Sequence, residues 1–483
     1  MEIHLALHDR HDLAGQIYRQ LLAGILDGRL SAGERLPSTR DLAIQLDVSR
    51  KTTLEVFERL IGEGYLLTRP GAGTYVVEGL LGSPSSTARL RTTRAAPAAV
   101  WKQLSLVLDA PQKTFKPTFD LRGGVTDKRL FPFDAWRRCI NHALRMQARE
   151  LGAYGPPEGE QALRLAVSRY LAFSRAVTCN WQDVIVTQGA QQAIDLTARV
   201  VLQAGDVVAV EDPGYPPARA CFTALGAKVV PVAVDAQGLI VDQLPKQARL
   251  VYVTPSHQFP LGMPMSLERR IALLAWARER DAVIIEDDYD GEFRFDGRPL
   301  DSLKSLDQAG LVAYIGTFSK TIFPELRIGY VVPPLSLLSS FAKAKAINDL
   351  HSCTLTQTAL ARFMLDGYFA KHLRRAHRHY AARRQTVLAH LSGELAQWFE
   401  PIVPAAGIHL VARLHASVTE ARVVEAAAAV SLGLFGLSAL YAGAPQPGLL
   451  IGYGRSDVKE IDGALQSLSG LMRELVGAQT RVY

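Results

Sequence analysis

Two stretches decide the fold of most of this chain: Val283-Ile284-Ile285-Glu286-Asp287-Asp288-Tyr289 and, a short way downstream, Leu311-Val312-Ala313-Tyr314-Ile315-Gly316-Thr317-Phe318-Ser319-Lys320. Each opens with a short apolar run of the length and composition of a strand buried on both faces. Each closes on polar groups, three acids and a tyrosine in the first, two hydroxyls and a lysine in the second. Helical and strand patterns alternate from Phe119 to the C-terminus, which predicts a doubly wound α/β sheet rather than a barrel of short strands. Chemistry in such a sheet gathers at the carboxyl ends of its strands, so the acid cluster and the lysine belong to one site.

That combination suits pyridoxal 5′-phosphate (PLP). A lysine amine forms a Schiff base with the cofactor aldehyde. A carboxylate keeps the pyridine nitrogen protonated and the ring electron-withdrawing. A phenol hydrogen-bonds the ring oxygen. The phosphate calls for backbone N–H groups at a helix start, with hydroxyls and an arginine. Val184-Ile185-Val186 reads as a strand, and Thr187-Gln188-Gly189-Ala190-Gln191-Gln192 opens the helix after it; Thr317, Ser319 and Arg327 supply the rest. Singly, these are ordinary: Ser-Lys is usually surface, Asp-Asp before Tyr a loop, Thr-x-Gly a turn. Their order and their common strand-end placement carry the reading.

At 483 residues the chain is too long for one core, and two or three domains are expected. Hydrophobic residues at 48% and charged residues at 21% mark a folded globular protein, and the net charge of +7 permits an anionic partner without requiring one. Cys139, Cys179, Cys221 and Cys353 form no C-x-x-C pair, so neither a disulfide framework nor a metal site is expected, and a cytoplasmic location fits. The first ten residues lack a basic segment followed by an apolar core, the mark of a secretion signal. The uncharged stretch between Glu425 and Arg455 is broken by Gly433, Gly436, Pro445 and Gly448, which favours a helix, a strand and a turn over a membrane span.

The beginning of the chain has a different character. Ala14, Ile17, Leu21 and Ile25 form a helical stripe that stops at Gly28. Ser38 is placed to cap a second helix with Leu42, Ala43 and Leu46 inward. Ser49 is placed to cap a third, with Thr53, Val56, Phe57, Leu60 and Ile61 inward. Tyr65–Thr68 and Thr74–Val77 alternate as strands around Arg69-Pro70-Gly71-Ala72-Gly73. Three helices and a two-stranded wing make a winged helix-turn-helix. The third helix is the reader, because its first turn displays Ser49, Arg50, Lys51 and Thr52, and such an end enters the major groove. Arg40, Arg69 and the wing glycines are placed for the backbone. Acids slightly outnumber bases in this zone, so affinity rests on a local basic cluster, with Arg89, Arg91 and Arg94 of the following segment as reinforcement. That segment, rich in Ser, Ala, Pro and Arg, is a linker. The domains are thus 1–79 DNA-binding, 80–116 linker and 117–483 cofactor-binding.

Ala32-Gly33-Glu34-Arg35-Leu36-Pro37-Ser38-Thr39-Arg40-Asp41-Leu42-Ala43, Val48-Ser49-Arg50-Lys51-Thr52-Thr53 and Glu63-Gly64-Tyr65-Leu66 resemble a GntR-type DNA-binding domain. The resemblance implies contact with a double-stranded DNA operator through Arg40, Ser49, Arg50, Thr52 and the wing around Gly71. Residues 119–483 resemble a fold type I aminotransferase. Tyr154-Gly155-Pro156-Pro157-Glu158-Gly159 is similar to its early motif, Gln188–Gln192 to its phosphate cup and Asp212-Pro213-Gly214-Tyr215 to its ring-stacking loop. Thr254–Gly262 resembles a variant of its Asn-Pro-x-Gly turn, and Gly316–Lys320 with Leu326–Tyr330 its lysine motif. Together these make the layout of MocR-like regulators. The resemblance implies Lys320 as Schiff-base lysine, Asp287 at the pyridinium, Tyr289 at the ring oxygen and Tyr215 stacked on the ring. Gly189, Ala190, Gln191, Thr317, Ser319 and Arg327 would surround the phosphate. Tyr154 of the partner subunit would also reach it, in a homodimer.

Two departures from working aminotransferases stand out. Phe259 occupies the place of the turn asparagine, just after His257 and Gln258. The strand Pro447–Tyr453 lacks the arginine that grips a substrate carboxylate; Arg455 comes only later, and neither Arg122 nor Arg219 is assigned its place. A basic tract from Lys371 through His372, Arg374, Arg375, His377, Arg378, His379, Arg383 and Arg384 suits a helix with one positive face, solvated or facing a dimer partner, with extra DNA contact as the lesser reading. The leading expectation is a regulator whose aminotransferase-like body senses an amino compound or PLP itself. The competing ones are a working transaminase with a vestigial head, and a DNA binder with an inert body.

Overall fold

A computed structural model describes residues 5–7, 11–78, 96–104, 115–149, 151–297, 301–415 and 417–480. The chain forms two compact units, Met1–Pro97 and Ala98–Tyr483. Most of the expected linker, including Arg89, Arg91 and Arg94, lies outside the described residues.

In the first unit, helices α1 (Leu13–Leu26), α2 (Thr39–Gln45) and α3 (Arg50–Gly62) precede strands β1 (Leu66–Arg69) and β2 (Gly73–Val76). Each helix starts where a side chain satisfies an otherwise orphaned N–H. Asp12 accepts from Gly15, Ser38 from Asp41 and Ser49 from Thr52. Ile17, Leu21, Leu42, Val56, Phe57 and Leu60 pack with Leu66 and Val76 of the wing into one core. Ile61 departs from expectation and is 37% exposed. The inward stripe of α3 runs through Thr53, Val56, Phe57 and Leu60. A helix turns 100° per residue, which carries the next side chain past the core edge.

The second unit is built on an eight-stranded sheet. From one edge its strands are Ile185–Thr187, Gly329–Val332, Val312–Thr317, Val283–Asp288, Ala248–Val253, Val207–Asp212, Lys228–Asp235 and Gly238–Leu239. The central strands are parallel, whereas Gly329–Val332 runs antiparallel to both neighbours. Val283–Asp288 and Val312–Thr317 are buried along their whole length and pair directly, with Asp287 opposite Ile315. Alternation then divides the core: Ile285 packs with Val208, Tyr252 and Phe341 on one face, and Ile284 with Val251, Leu273 and Trp276 on the other.

A smaller antiparallel sheet, ordered Phe399–Ile402, His409–Leu414, Gly448–Gly452, Phe435–Gly436, packs with the helices Tyr368–Ser392 and Val458–Thr480. The uncharged stretch after Glu425 thus resolves into a helix end and short strands. Among the described residues no helix is long and apolar enough to cross a membrane. The basic tract is helical, and its exposed members share one face as expected, but not every cation of the tract lies on it. Lys371, Arg374, Arg375, Arg378 and His379 are exposed, while His372, Arg383 and Arg384 are buried. Packing on both sides of so long a helix requires inward cations to be paired. Arg383 pairs with Asp127 at 2.6 Å, Arg384 with Asp296 at 2.6 Å, and His372 Nε2 meets the Thr321 carbonyl at 2.7 Å.

Candidate functional site

At the carboxyl ends of the central strands the second unit encloses a cavity of about 1290 Å³ whose lining includes Lys320, Asp287, Tyr289, Thr317, Ser319 and Tyr215. Lys320 leaves its strand by three residues, and its Nζ donates to the Gly124 carbonyl at 2.5 Å. Burial pushes its pKa down against the attraction of Asp290 and Asp287. A Cβ on Gly124 would lie 3.0 Å from that nitrogen, and Gly124 has φ +91°, so glycine is required twice over.

The two adjacent aspartates have opposite fates because successive strand residues face opposite sides. Asp288 faces Arg175, with which it forms a buried ion pair, and accepts from Tyr314 at 2.6 Å. Burial raises its pKa, but Arg175 and Tyr314 outweigh that and hold it below the usual carboxylate range. Asp287 faces the cavity. One oxygen accepts from the Tyr252 hydroxyl at 2.7 Å, and the other, Oδ1, is buried with no partner among the described residues. Burial pushes Asp287 up to about 7. An orphaned carboxylate oxygen at that spot is what a pyridinium N–H satisfies.

Tyr289 also lines the cavity. Its hydroxyl lies 3.0 Å from His257 Nδ1, which donates to Asp290 at 2.9 Å. Phe259 places its ring edge-on to both Tyr215 and Tyr289, at 5.7 and 6.0 Å. Tyr215 heads the helix Pro216–Ala224, and burial pushes its phenol up to about 12.

The phosphate end is equally built. Gly189 (φ +83°) opens the twelve-residue helix Ala190–Val201, whose first-turn N–H groups carry its positive end. Arg327 reaches over it to the Gln188 carbonyl at 2.7 Å, so close that a Cβ on Gly189 would stand 2.8 Å from the guanidinium. Ala190, Gln191, Thr317 and Ser319 line the same space, and Gln191 Oε1 is buried with no partner among the described residues. The buried lysine, the orphaned acid and the N–H cup with its arginine fit PLP. When bound, PLP supplies an aldehyde carbon open to amines and a ring that withdraws electrons from it.

Tyr154 stands apart. It is 82% exposed, lies edge-on to His351 and does not line this cavity. Arg122 and Arg455 both pair with Asp120 at 2.8 Å, and Arg219 sits 3.9 Å from Asp212; none lines the cavity. Sequence reasoning missed Gly124, Tyr252, Asp290 and His409. Tyr252 carried one signal, since it is the one polar-tipped side chain in the apolar run Leu250–Val253 beside the acid-bearing strand. His257, Asp290 and His409 bring ligand-type atoms within 4.8 Å of one another, but His257 and Asp290 already bond to each other.

In the first unit, Ser49 Oγ caps α3 by accepting from Thr52 N at 3.1 Å and lies 2.8 Å from Thr52 Oγ1. Arg50 and Lys51 on the first turn of α3, and Arg40 on α2, are exposed. The Arg69 guanidinium sits 4.9 Å over the Tyr75 ring, and Gly71 (φ +75°) forms the open tip of the wing. Arg35, which sequence reasoning gave no role, packs against Gly73 and bridges to Tyr75.

Residues 13–76 match the family of bacterial regulatory proteins of the gntR type, and residues 124–433 match aminotransferase class I and II. The chain is 38% identical to the probable rhizopine catabolism regulatory protein MocR of Rhizobium meliloti, over 94% of this chain and 92% of that one. It is 31% identical to the pyridoxine biosynthesis transcriptional regulator PdxR of Corynebacterium glutamicum, covering 97% and 98%. Among solved structures, kynurenine aminotransferase of Pyrococcus horikoshii superimposes with a TM-score of 0.69 at 27% identity, over 79% of this chain and 96% of that one. The chain belongs to the MocR-like family, in which a GntR-type winged helix-turn-helix is joined to a fold type I aminotransferase body.

Proposed function

We propose that the protein is a PLP-dependent transcription regulator that binds an operator as a cytoplasmic homodimer and senses an amino compound, or PLP itself, in its aminotransferase-like body. The observation that carries this reading is the cavity in which Lys320 and the orphaned oxygen of Asp287 converge, on a chain whose other unit displays Arg50 and Lys51 at the start of a capped recognition helix. In this reading residues 1–79 read DNA, 80–116 link, and 117–483 hold the cofactor. Lys320 anchors the aldehyde, Asp287 holds the pyridinium proton, Tyr289 orients the ring oxygen and Tyr215 covers the ring. Gly189, Ala190, Gln191, Thr317, Ser319 and Arg327 hold the phosphate, joined by Tyr154 of the partner subunit. Arg40, Ser49, Arg50, Lys51, Thr52, Arg69 and Gly71 meet DNA.

A ligand shifts such a protein only by binding one arrangement of the dimer better than another. The test is a band-shift titration of full-length protein on the DNA upstream of its own coding region, with PLP and candidate amines added. Ligand-dependent change in the wild type that is absent in Lys320→Ala supports the reading, and identical curves overturn it. The presence of Lys320, Asp287 and Tyr289 in one cavity also favours a second reading, a working transaminase. Sustained multiple turnover with an amino donor and a keto acid would select it.

A further inference from the structure

The polar character of the wall beyond Lys320 restricts what the cavity admits. Gly124, whose carbonyl accepts a hydrogen bond from Lys320 Nζ, is preceded by Gly123, and a Cβ there would stand 2.9 Å from Leu450 Cδ2 and 3.9 Å from His409 Cβ. Leu450, on the strand Gly448–Gly452, therefore backs this part of the site with hydrocarbon. His409 and Asp290 line the cavity itself. His409 Nε2 faces the Pro260 carbonyl at 3.2 Å and must donate to it. Burial, with His257 and Lys320 nearby, holds the ring neutral, so its remaining nitrogen is an acceptor. Asp290 takes the His257 proton and keeps further lone pairs.

Cations are committed elsewhere. Besides Lys320, the described lining residues include two arginines. Arg327 bonds the Gln188 carbonyl over the phosphate cup, and Arg199 pairs with Asp195 at 2.7 Å. A carboxylate carried in beside the ligand amine would lose its water and meet acceptors. Hydroxyl or ammonium donors would find Asp290 and His409.

We infer that the cavity selects a primary amine bearing no carboxylate, an amino alcohol or a diamine whose donors meet Asp290 and His409. This rests on the reading that Lys320 carries PLP and that the body senses an amine. The test is calorimetric titration of PLP-loaded full-length protein with pairs differing only by the carboxylate: ethanolamine against L-serine, and putrescine against L-ornithine. The carboxylate-free member of each pair should bind at least tenfold more tightly, and Asp290→Asn should narrow the putrescine advantage without improving ornithine. Equal or tighter binding of serine and ornithine, or no binding by any of the four, overturns the inference. Borohydride reduction followed by peptide mapping separates the two failures. A tagged Lys320 with amino acids favoured refutes only the selectivity, whereas an untagged Lys320 refutes the cofactor reading as well.

Discussion

Replacing Asp287 by asparagine should stabilise the cofactor-free protein, and by an amount that grows with pH. The carboxyl is buried and pushed up to about 7, chiefly by desolvation, with one oxygen lacking a donor among the described residues. In the unfolded chain its pKa returns to about 3.9. The folded state then binds more protons than the unfolded state between those values. Stability contributed by this group therefore falls as pH rises from near 4, and the full penalty is reached above 7. At about 1.4 kcal/mol per pKa unit, the penalty is about 2 kcal/mol at pH 5 and about 4 kcal/mol at pH 8. Asparagine keeps an acceptor for Tyr252 and removes the titration. The advantage of Asp287→Asn over the wild type should thus be larger at pH 8 than at pH 5, by about 2 kcal/mol. Glu286, also pushed up to about 7 by burial, is present in both proteins and cancels, whereas Glu211, likewise near 7, is raised in part by the Asp287 charge, so its relief in the variant adds to the same pH trend. Urea unfolding followed by tryptophan fluorescence reads the second unit alone, because Trp101, Trp136, Trp181, Trp276 and Trp398 all lie there. Saturating PLP should close the gap at pH 8 by supplying a cation to Oδ1. A gap independent of pH would refute the reasoning.

Arg50→Ala should weaken operator binding by about 1–3 kcal/mol and relax preference at one base pair, measured by titration on a set of single-base operator variants. Ser49→Ala removes the cap of α3 and should cost the DNA-binding unit about 1 kcal/mol, read by amide hydrogen exchange along that helix. Gly124→Ala forces a methyl to 3.0 Å from Lys320 Nζ at φ +91°, so borohydride-trapped PLP on Lys320 should fall sharply. Arg383→Leu leaves buried Asp127 with only its outer partner Arg129 and should destabilise the second unit by about 3 kcal/mol in the same fluorescence assay.

The features that the sequence disclosed are those set by local periodicity. The strand runs at 283–288 and 312–317, the caps at Ser38 and Ser49 and the wing turn around Gly71 each depend on neighbours in the chain. Period-two alternation even separates Asp287, on the side of Ile285, from Asp288. Features built across the chain stayed hidden. The partner of Lys320 is Gly124, 196 residues away, and that of Asp287 is Tyr252, 35 residues away. Nothing in a linear pattern announces such pairings. The buried members of the basic tract were hidden for a related reason. Charge spacing describes one helix face, but the Tyr368–Ser392 helix is gripped on more than one side, and Asp127 and Asp296 lie far from it in sequence.

The cost of a bare Asp287 suggests where the energy for a switch originates. A ligand that binds only the folded state adds about 2.7 kcal/mol at a concentration one hundred times its dissociation constant. The burden on the cofactor-free site at pH 8, about 4 kcal/mol from this one carboxylate, is of the same order. A cation placed against Oδ1 relieves a strain already present, in a setting where charge interactions are little screened by water. With PLP held on Lys320, a change of charge at its ring nitrogen would be felt at Asp287. The GntR-type head needs no ligand chemistry of its own under this scheme. It needs only that two arrangements of the body differ in how tightly they enclose that carboxylate, because a ligand shifts an equilibrium by its differential affinity and by nothing else.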